Sequence, residues 1–306
     1  SNRNTNNNRN GSSRIMSKVE VDKVIPQSGT TLTIGDNGDT INVVGTLQNN
    51  GGSLAGVTFK EGGTNFTNSL LVGTDSTGTL SSADGNTGVG VGVFGALTTG
   101  DNNVAVGLNA LDLNTTGSCN VAIGQTALST ATTASFNTAV GMRAMLNTTT
   151  GNKNVAVGTS AMQCNTTGSK NTAVGGMDTN AFPTMFANTT GSNNTAIGNS
   201  TLMCNTTASN NVAVGKEALK LNTTGCRNVA VGSLALDSNT TACGNTAVGY
   251  RGLDANTTGA ENTAVGKGAM TNNTTGQQNT AVGANVMLCN TTGQYNSAFG
   301  FQAMNR

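Results

Sequence analysis

Three glycines, Gly90, Gly92 and Gly95, form a G-x-G-x-x-G sequence, which is the pattern of loops that bind dinucleotide phosphates. Such a loop needs a strand before it, a helix after it and an acidic residue about 20 positions further on. The residues that follow are rich in Thr, Asn, Val and Gly, which are mediocre or poor helix formers. The sequence therefore favours glycines with a structural role, and we expect no cofactor.

Side chains for acid–base chemistry are scarce and scattered. The chain has no His, which removes the commonest general base, and its 14 Asp and Glu residues show no pairing that repeats. Calcium loops of repeat proteins need an Asp at a fixed place in each repeat, and none occurs here. We expect no catalytic residue, no metal site and no enzymatic activity.

Six cysteines lack the C-x-x-C spacing and the histidines of zinc sites. Cys226 and Cys243 lie 17 residues apart, at the same place in two consecutive copies of a 17-residue repeat. If these repeats stack as β-coils, the two Cα atoms lie about 5 Å apart, which permits a disulfide. A protein assembled inside a cell would keep both as thiols, so the two alternatives stay open.

Asn-Thr-Thr triplets occur ten times, and each is a formal N-glycosylation sequence. Asn and Thr side chains also hydrogen-bond to local backbone groups in turns. We favour turn chemistry, with glycosylation as the alternative. The triplets begin at Asn114, Asn147, Asn165, Asn188, Asn205, Asn222, Asn239, Asn256, Asn273 and Asn290.

These motifs all belong to one 17-residue repeat, N-[TV]-A-V-G-x-x-A-[LM]-x-x-N-T-T-G-x-x, whose positions we number 1 to 17. Thirteen copies follow one another, and each is named here by its first residue. The copies begin at residues 86, 103, 120, 137, 154, 171, 194, 211, 228, 245, 262, 279 and 296. The step from 171 to 194 is longer than all the others, which places a six-residue insertion within 175–187.

The insertion carries a cluster of apolar residues in a chain that is only 3% aromatic. Phe182, Pro183, Met185 and Phe186 lie close together in this stretch. They form either a surface loop for a receptor or neighbouring fibre, or a local packing element over the repeat.

The repeat predicts an all-β fold, a parallel β-solenoid in which each 17-residue copy forms one coil. Two short apolar runs, separated by Gly and by Asn-Thr-Thr-Gly, predict two strands and two turns per coil. Stacked at about 4.8 Å per coil, the copies would form a rod of roughly 60 Å in which identical residues lie in ladders.

Few large apolar residues are available to fill such a coil, because only about four side chains per repeat are apolar and two of them are Ala. The Val and Ile residues at position 4 would supply more core if they packed against copies from other chains. We therefore expect a homotrimer, intertwined or side by side.

The N-terminal part differs from the repeats. We predict a disordered extension at 1–15, a β-rich attachment or capping segment at 16–80, and the solenoid at 81–306. The net charge of +1 argues against nucleic acid as a partner. The sequence has no run of about 18 apolar residues, so we expect no membrane insertion. The polar N-terminus lacks the apolar centre of a secretory signal.

The N-x-A-[VI]-G unit resembles the head repeats of trimeric autotransporter adhesins. The 17-residue version is more similar to repeats in tail-fibre proteins of marine phages and related viruses, as are the start MSKVEVDKVIPQSGTTLTIGDNGDTINV and the join SLLVGTDSTGTLSSADGNTGVG. The resemblance covers 16–306 and implies a trimeric parallel β-roll in a virion fibre.

As such a fibre, the chain is expected to be assembled in the host cytoplasm and to lie on the surface of the virion. Its partners would be two copies of itself, tail or capsid proteins at the N-terminal region, and a host receptor reached through a tip outside this chain. It would be a shaft that spaces this tip from the particle. A bacterial trimeric surface adhesin and an ice-binding β-solenoid, suggested by the Thr ladders, remain the alternatives.

Overall fold

The computed structural model describes residues 53–54, 57–61, 65–73, 77–177 and 182–305. The chain divides into two compact units, Ser1–Gln48 and Asn49–Arg306. The first unit lies outside the described residues, and so does the predicted disordered extension at 1–15. All described residues belong to the second unit.

Sixteen strands of the described chain form a single sheet in which every strand pairs with its neighbours in sequence. They are β1 (Ser53–Leu54), β2 (Val57–Glu61), β3 (Leu70–Gly73), β4 (Thr87–Gly90), β5 (Val104–Val106), β6 (Val121–Ile123), β7 (Thr138–Val140), β8 (Val155–Val157), β9 (Thr172–Val174), β10 (Thr195–Ile197), β11 (Val212–Val214), β12 (Val229–Val231), β13 (Thr246–Val248), β14 (Thr263–Val265), β15 (Thr280–Val282) and β16 (Ser297–Phe299).

The parallel part of the sheet runs from β3 to β16 and advances by one repeat per strand. Ala122 of β6 pairs with Ala139 of β7, and equivalent residues pair throughout. This register confirms the all-β parallel solenoid, in which each 17-residue repeat forms one coil and the coils make about 13 turns. No helix is present among the described residues.

Each coil contains one strand, of three residues at positions 2–4 in every repeat after the first, and the prediction of two strands per coil is wrong. The second apolar run, which includes Ala127 and Leu128, lies in a series of turns. Leu128 has a φ of 50° and Thr126 a φ of 54°, both in the left-handed region. Two left-handed residues in such close succession bend the chain, so this half of the coil cannot form an extended strand.

The parallel ladder begins before residue 81, at β3. Leu70 pairs with Thr87, a full repeat away, and Ser69 takes the place of the first Asn. The hydroxyl oxygen of Ser69 accepts a hydrogen bond from the backbone N–H of Asn86 at 2.8 Å. On its other edge β3 pairs with β2 in the antiparallel sense, and β2 pairs likewise with β1. This antiparallel pair covers the edge of the first coil.

Ala at positions 3 and 8 and Leu or Met at position 9 fill the interior of most coils. In the Asn120 coil these residues are Ala122, Ala127 and Leu128, and all three are fully buried. Successive residues of a strand point to opposite faces, so an inward position 3 turns the side chains at positions 2 and 4 outward.

Position 5 is Gly in every copy because the backbones of consecutive coils approach closely there. Gly124 has a φ of 134°, and a Cβ atom built on it would lie 2.5 Å from the carbonyl oxygen of Gly141. No side chain fits at that distance, so the corner after each strand requires glycine.

The insertion leaves the coil between positions 5 and 6. On one side, the N–H of Gly198 donates to Val174 O at 2.8 Å, as in the regular coils. On the other side, the N–H of Ser200 donates to Phe182 O at 3.0 Å. Residues 176–181 are therefore extra, and 178–181 of them lie outside the described residues.

Candidate functional site

Buried Asn side chains at position 1 connect each coil to the next. The Oδ1 atom of Asn120 accepts the backbone N–H of Asn137 at 3.0 Å and its Nδ2 at 3.2 Å. The Nδ2 of Asn120 also donates to Ala134 O at 2.8 Å, across its own coil. Each buried amide is thus satisfied by hydrogen bonds both within its coil and between coils.

A second Asn ladder runs along position 12, the first residue of most Asn-Thr-Thr triplets. Asn188 Nδ2 donates to Asn165 Oδ1 at 2.8 Å and to Gly191 O at 3.1 Å. The side chain therefore satisfies a turn carbonyl, as expected from turn chemistry, and also a neighbouring coil. Eight of the ten triplet Asn residues are buried, namely Asn114, Asn165, Asn188, Asn205, Asn222, Asn239, Asn256 and Asn273.

Asn147 is the exception, because its triplet is shifted by one position. Thr148 occupies the buried position 12 of that coil, and Asn147 lies exposed at position 11. The Nδ2 of Asn165 donates to Thr148 Oγ1 at 3.2 Å, which keeps the ladder connected. Asn290, near the last coil, is partly buried.

The two Thr residues of the triplet differ in their roles. The position 13 hydroxyl donates to the next coil, as Thr206 Oγ1 does to Thr223 O at 3.1 Å. The position 14 side chain, such as Thr207, is exposed. Of the two Thr columns, the one at position 14 therefore faces outward without a side-chain hydrogen bond to the next coil.

A stripe covers the outer face of the sheet, formed by Val, Ile or Phe at position 4 and by Val, Thr or Ser at position 2. At position 4, Ile123 and Ile197 are 40% and 41% exposed. Val155 and Val212, at position 2, are exposed to a similar degree. The stripe runs without a charged residue from β4 to β16 and is hereafter called the valine stripe.

The predicted loop cluster separates in the structure. Phe182 is exposed, whereas Pro183 and Met185 are buried and Phe186 is half-buried. Met185 fills the interior place of a position 9 residue, with a φ of 49°. Phe182 is the one member that lies on the surface, and Met177, at the start of the insertion, is exposed as well.

Cys226 and Cys243 are both free thiols at position 16. The backbone N–H of Cys226 donates to Cys243 Sγ at 2.9 Å. Ser side chains accept the same bond in other coils, as Ser209 Oγ does from Ser192 N at 3.0 Å. The thiol thus acts as a hydrogen-bond acceptor in the stack, and a disulfide between the two stays a prediction.

The glycines of the G-x-G-x-x-G sequence take ordinary repeat positions. Gly90 ends β4 at position 5, and Gly92 and Gly95 follow at positions 7 and 10. The residues after them form turns, not the helix that a phosphate loop requires.

Charged side chains occupy position 10 of the Asn211, Asn228 and Asn245 coils and position 7 of the first and third of these coils. Arg251 Nε donates to Asp254 Oδ2 at 2.6 Å, and Lys220 lies 3.4 Å from Glu217. Between them, Asp237 has a buried Oδ1 atom without a hydrogen-bond partner. Burial raises the pKa of Asp237, and the Lys220 charge opposes this shift.

The inward direction of the Asn side chains was not predicted from the sequence, nor was a cleft that Phe136, Lys153 and Lys170 line at positions 14–17. The fixed Asn at position 1 of every copy was the available signal for the ladder.

Within the described ranges, no helix is long and apolar enough to cross a membrane, and no group of His, Cys, Asp and Glu could hold a metal ion. No family model matches this chain, and no curated protein or solved structure is significantly similar to it.

Proposed function

We propose that the chain is a non-enzymatic virion fibre shaft that assembles as a homotrimer and holds a host-attachment element away from the particle. The valine stripe carries this proposal. Its position 4 column holds Val, Ile or Phe, exposed or half-buried, on consecutive coils. A contiguous apolar surface of this kind marks a site of contact with another chain.

The stacked ladders support a mechanical role. Each coil is joined to the next by backbone bonds and by buried Asn and Thr bonds, so bending would break many bonds at once. The charged side chains are few and lie off the stripe. A stiff, weakly charged spacer fits these properties, and the segment before the coils would attach it to the particle.

The oligomeric state tests the assembly. Sedimentation of the full chain is expected to give three times the 30.6 kDa chain mass. Val140→Lys with Val157→Lys places two charges on the stripe and is expected to release monomers. The control, Thr133→Lys with Thr150→Lys, puts the same charges at position 14. A monomeric parent protein would contradict the proposal, and a dimer would indicate face-to-face packing of two stripes.

The location of the chain on purified particles tests the proposal that it is part of a fibre. An antibody against the chain, used to label purified particles for electron microscopy, is expected to mark projecting fibres. Label on the surface of a bacterial cell, with none on particles, would favour the adhesin alternative.

A further inference from the structure

We propose that a cleft on three consecutive coils binds a small saccharide that carries a carboxylate or sulfate group. The cleft has a volume of about 480 Å³ and lies at positions 14–17 of the Asn120, Asn137 and Asn154 coils. Phe136, Lys153 and Lys170 line it from position 17, and Ser135, Asn152 and Ser169 line it from position 16.

Phe136, Lys153 and Lys170 are held in place by the stack. The backbone N–H of Phe136 donates to Ser118 O at 3.0 Å, and that of Lys153 donates to Ser135 O at 3.1 Å. Their φ values of 60° and 58° are left-handed, and Lys170 repeats this geometry. The side chains therefore leave a fixed corner of the solenoid one coil apart, so a ligand would find their backbones already ordered.

The two lysines place like charges next to each other. Consecutive coils lie about 4.8 Å apart, and like charges on directly opposed residues are destabilising. The ion pairs among the described residues involve Lys216, Lys220 and Arg251, not this pair. An anion shared by both ammonium groups would remove the repulsion and form charge-assisted hydrogen bonds.

Side chains at position 17 of adjacent coils can reach one another. In another part of the column, Gln278 Nε2 donates to Glu261 Oε2 at 2.8 Å. A small anionic group between Lys153 and Lys170 would occupy the same kind of contact, with one charged donor on each side.

A sugar ring explains the remaining groups better than a bare anion does. Phe136 is 57% exposed, and its ring offers an apolar surface beside the charges. Asn152 Oδ1 accepts the backbone N–H of Ser135 at 2.6 Å, and within the described chain its Nδ2 has no partner. An aromatic ring with a few polar groups beside it suits a ligand that has both an apolar face and hydroxyl groups.

Nucleic acid is less favoured by the surroundings of the cleft. The column continues with Asn102 and Cys119 on one side and with Asn193 and Asn210 on the other, all uncharged. A polynucleotide would need a longer basic track to neutralise its phosphates. Because every group lies within one chain, this inference does not depend on the trimer or on the fibre.

Calorimetric titration of the full chain tests the site with four probes: a sulfated, uronate-containing disaccharide, its neutral parent disaccharide, inorganic sulfate and a single-stranded DNA hexamer. The charged disaccharide is expected to bind more tightly than the other three. Lys153→Gln with Lys170→Gln should weaken its binding by about tenfold or more. Phe136→Ala should weaken disaccharide binding and leave that of sulfate unchanged.

Lys216→Gln with Lys267→Gln is the matched control, because it removes two lysine charges at position 6. An equal loss of affinity in this control would overturn the proposal. Equal binding of the neutral disaccharide or of sulfate would overturn it too, as would tighter binding of the DNA hexamer. Absence of binding at about 10 mM disaccharide would do the same. Circular dichroism of each variant shows whether its fold is intact.

Discussion

Asn114 and Ala131 lie at position 12 of consecutive coils, and the buried Oδ1 atom of Asn114 has no hydrogen-bond partner. Elsewhere in this column the next coil supplies a donor, as Asn205 Nδ2 does for Asn188 Oδ1 at 2.7 Å. The methyl group of Ala131 cannot donate. Leaving a buried acceptor unsatisfied costs about 1–3 kcal/mol, so the position 12 ladder has a weak point between these two coils.

Ala131→Asn is expected to supply the hydrogen-bond donor that Asn114 Oδ1 lacks. Its Nδ2 would reach Asn114 Oδ1 and the turn carbonyl of Ala134, while its Oδ1 would meet the hydroxyl group of Thr148. We expect the variant to raise the free energy of unfolding by about 1 kcal/mol, measured by chemical denaturation. Thr133→Asn, an exposed substitution in the same coil, is the control. A decrease in stability would mean that this coil has no room for the larger side chain.

Removal of a position 1 amide should have a large effect. Asn120→Ala would leave the backbone N–H of Asn137 and the carbonyl of Ala134 without their partners, inside a buried column. We expect a loss of about 3 kcal/mol, from the unpaired groups and the cavity together. The exposed Asn147→Ala should change stability by no more than about 0.5 kcal/mol. Similar losses in both variants would contradict the role of the Asn ladder.

The period of the repeat made much of the fold predictable. A 17-residue unit dominated by Thr, Asn, Val and Gly predicts stacked β-coils, and the pairing of Ala122 with Ala139 has that period. Gly stands at position 5 of every copy, and Gly124 has both a positive φ and a close approach to the backbone of Gly141. The proposed trimer, by contrast, depends on contacts between chains, and sedimentation of the full chain tests it.

The second half of the coil was not predictable from residue types. Leu and Met are rarely left-handed, yet Leu128 and Met145 have φ values of 50° and 51°. Burial of their side chains and the hydrogen bonds of the next coil hold them there, and both depend on the completed stack. The cleft beside Phe136 depends in the same way on three coils, because residues one repeat apart become neighbours only after stacking.

The partly buried carboxyl group of Asp237 is expected to make the stability of the fold depend on pH. Burial raises its pKa in the folded state above the ordinary value of 3.8, so the folded chain holds this proton more tightly than the unfolded chain. Stability is therefore lost as the pH rises from about 4 through the folded-state pKa. Asp237→Asn should melt at a higher temperature than the parent at pH 7, by no more than about 2 °C because the carboxyl is only half-buried.

At pH 4 this difference should shrink, because a larger fraction of the parent carboxyl is then protonated. Asp101→Asn removes the same charge from another column and controls for the change in net charge. A constant difference in melting temperature between the Asp237 variant and the parent, from pH 4 to pH 7, would show that desolvation of Asp237 does not matter.

Asn147 should be the one triplet Asn that is freely modified in the folded protein. Its amide is exposed, whereas the amide of Asn165 is buried and donates to Thr148 Oγ1 and Gly168 O. A glycan on a buried Nδ2 would break the ladder and would not fit between coils. When the folded chain is treated with a soluble Asn-glycosylating enzyme, peptide mapping is expected to find sugar at Asn147 and none at Asn165.

The chain unfolded by heat, treated in parallel, should be modified at both residues, which shows that the enzyme accepts both sequences. Modification of Asn165 in the folded chain, at the rate seen at Asn147, would mean that position 12 is not held inside the coil.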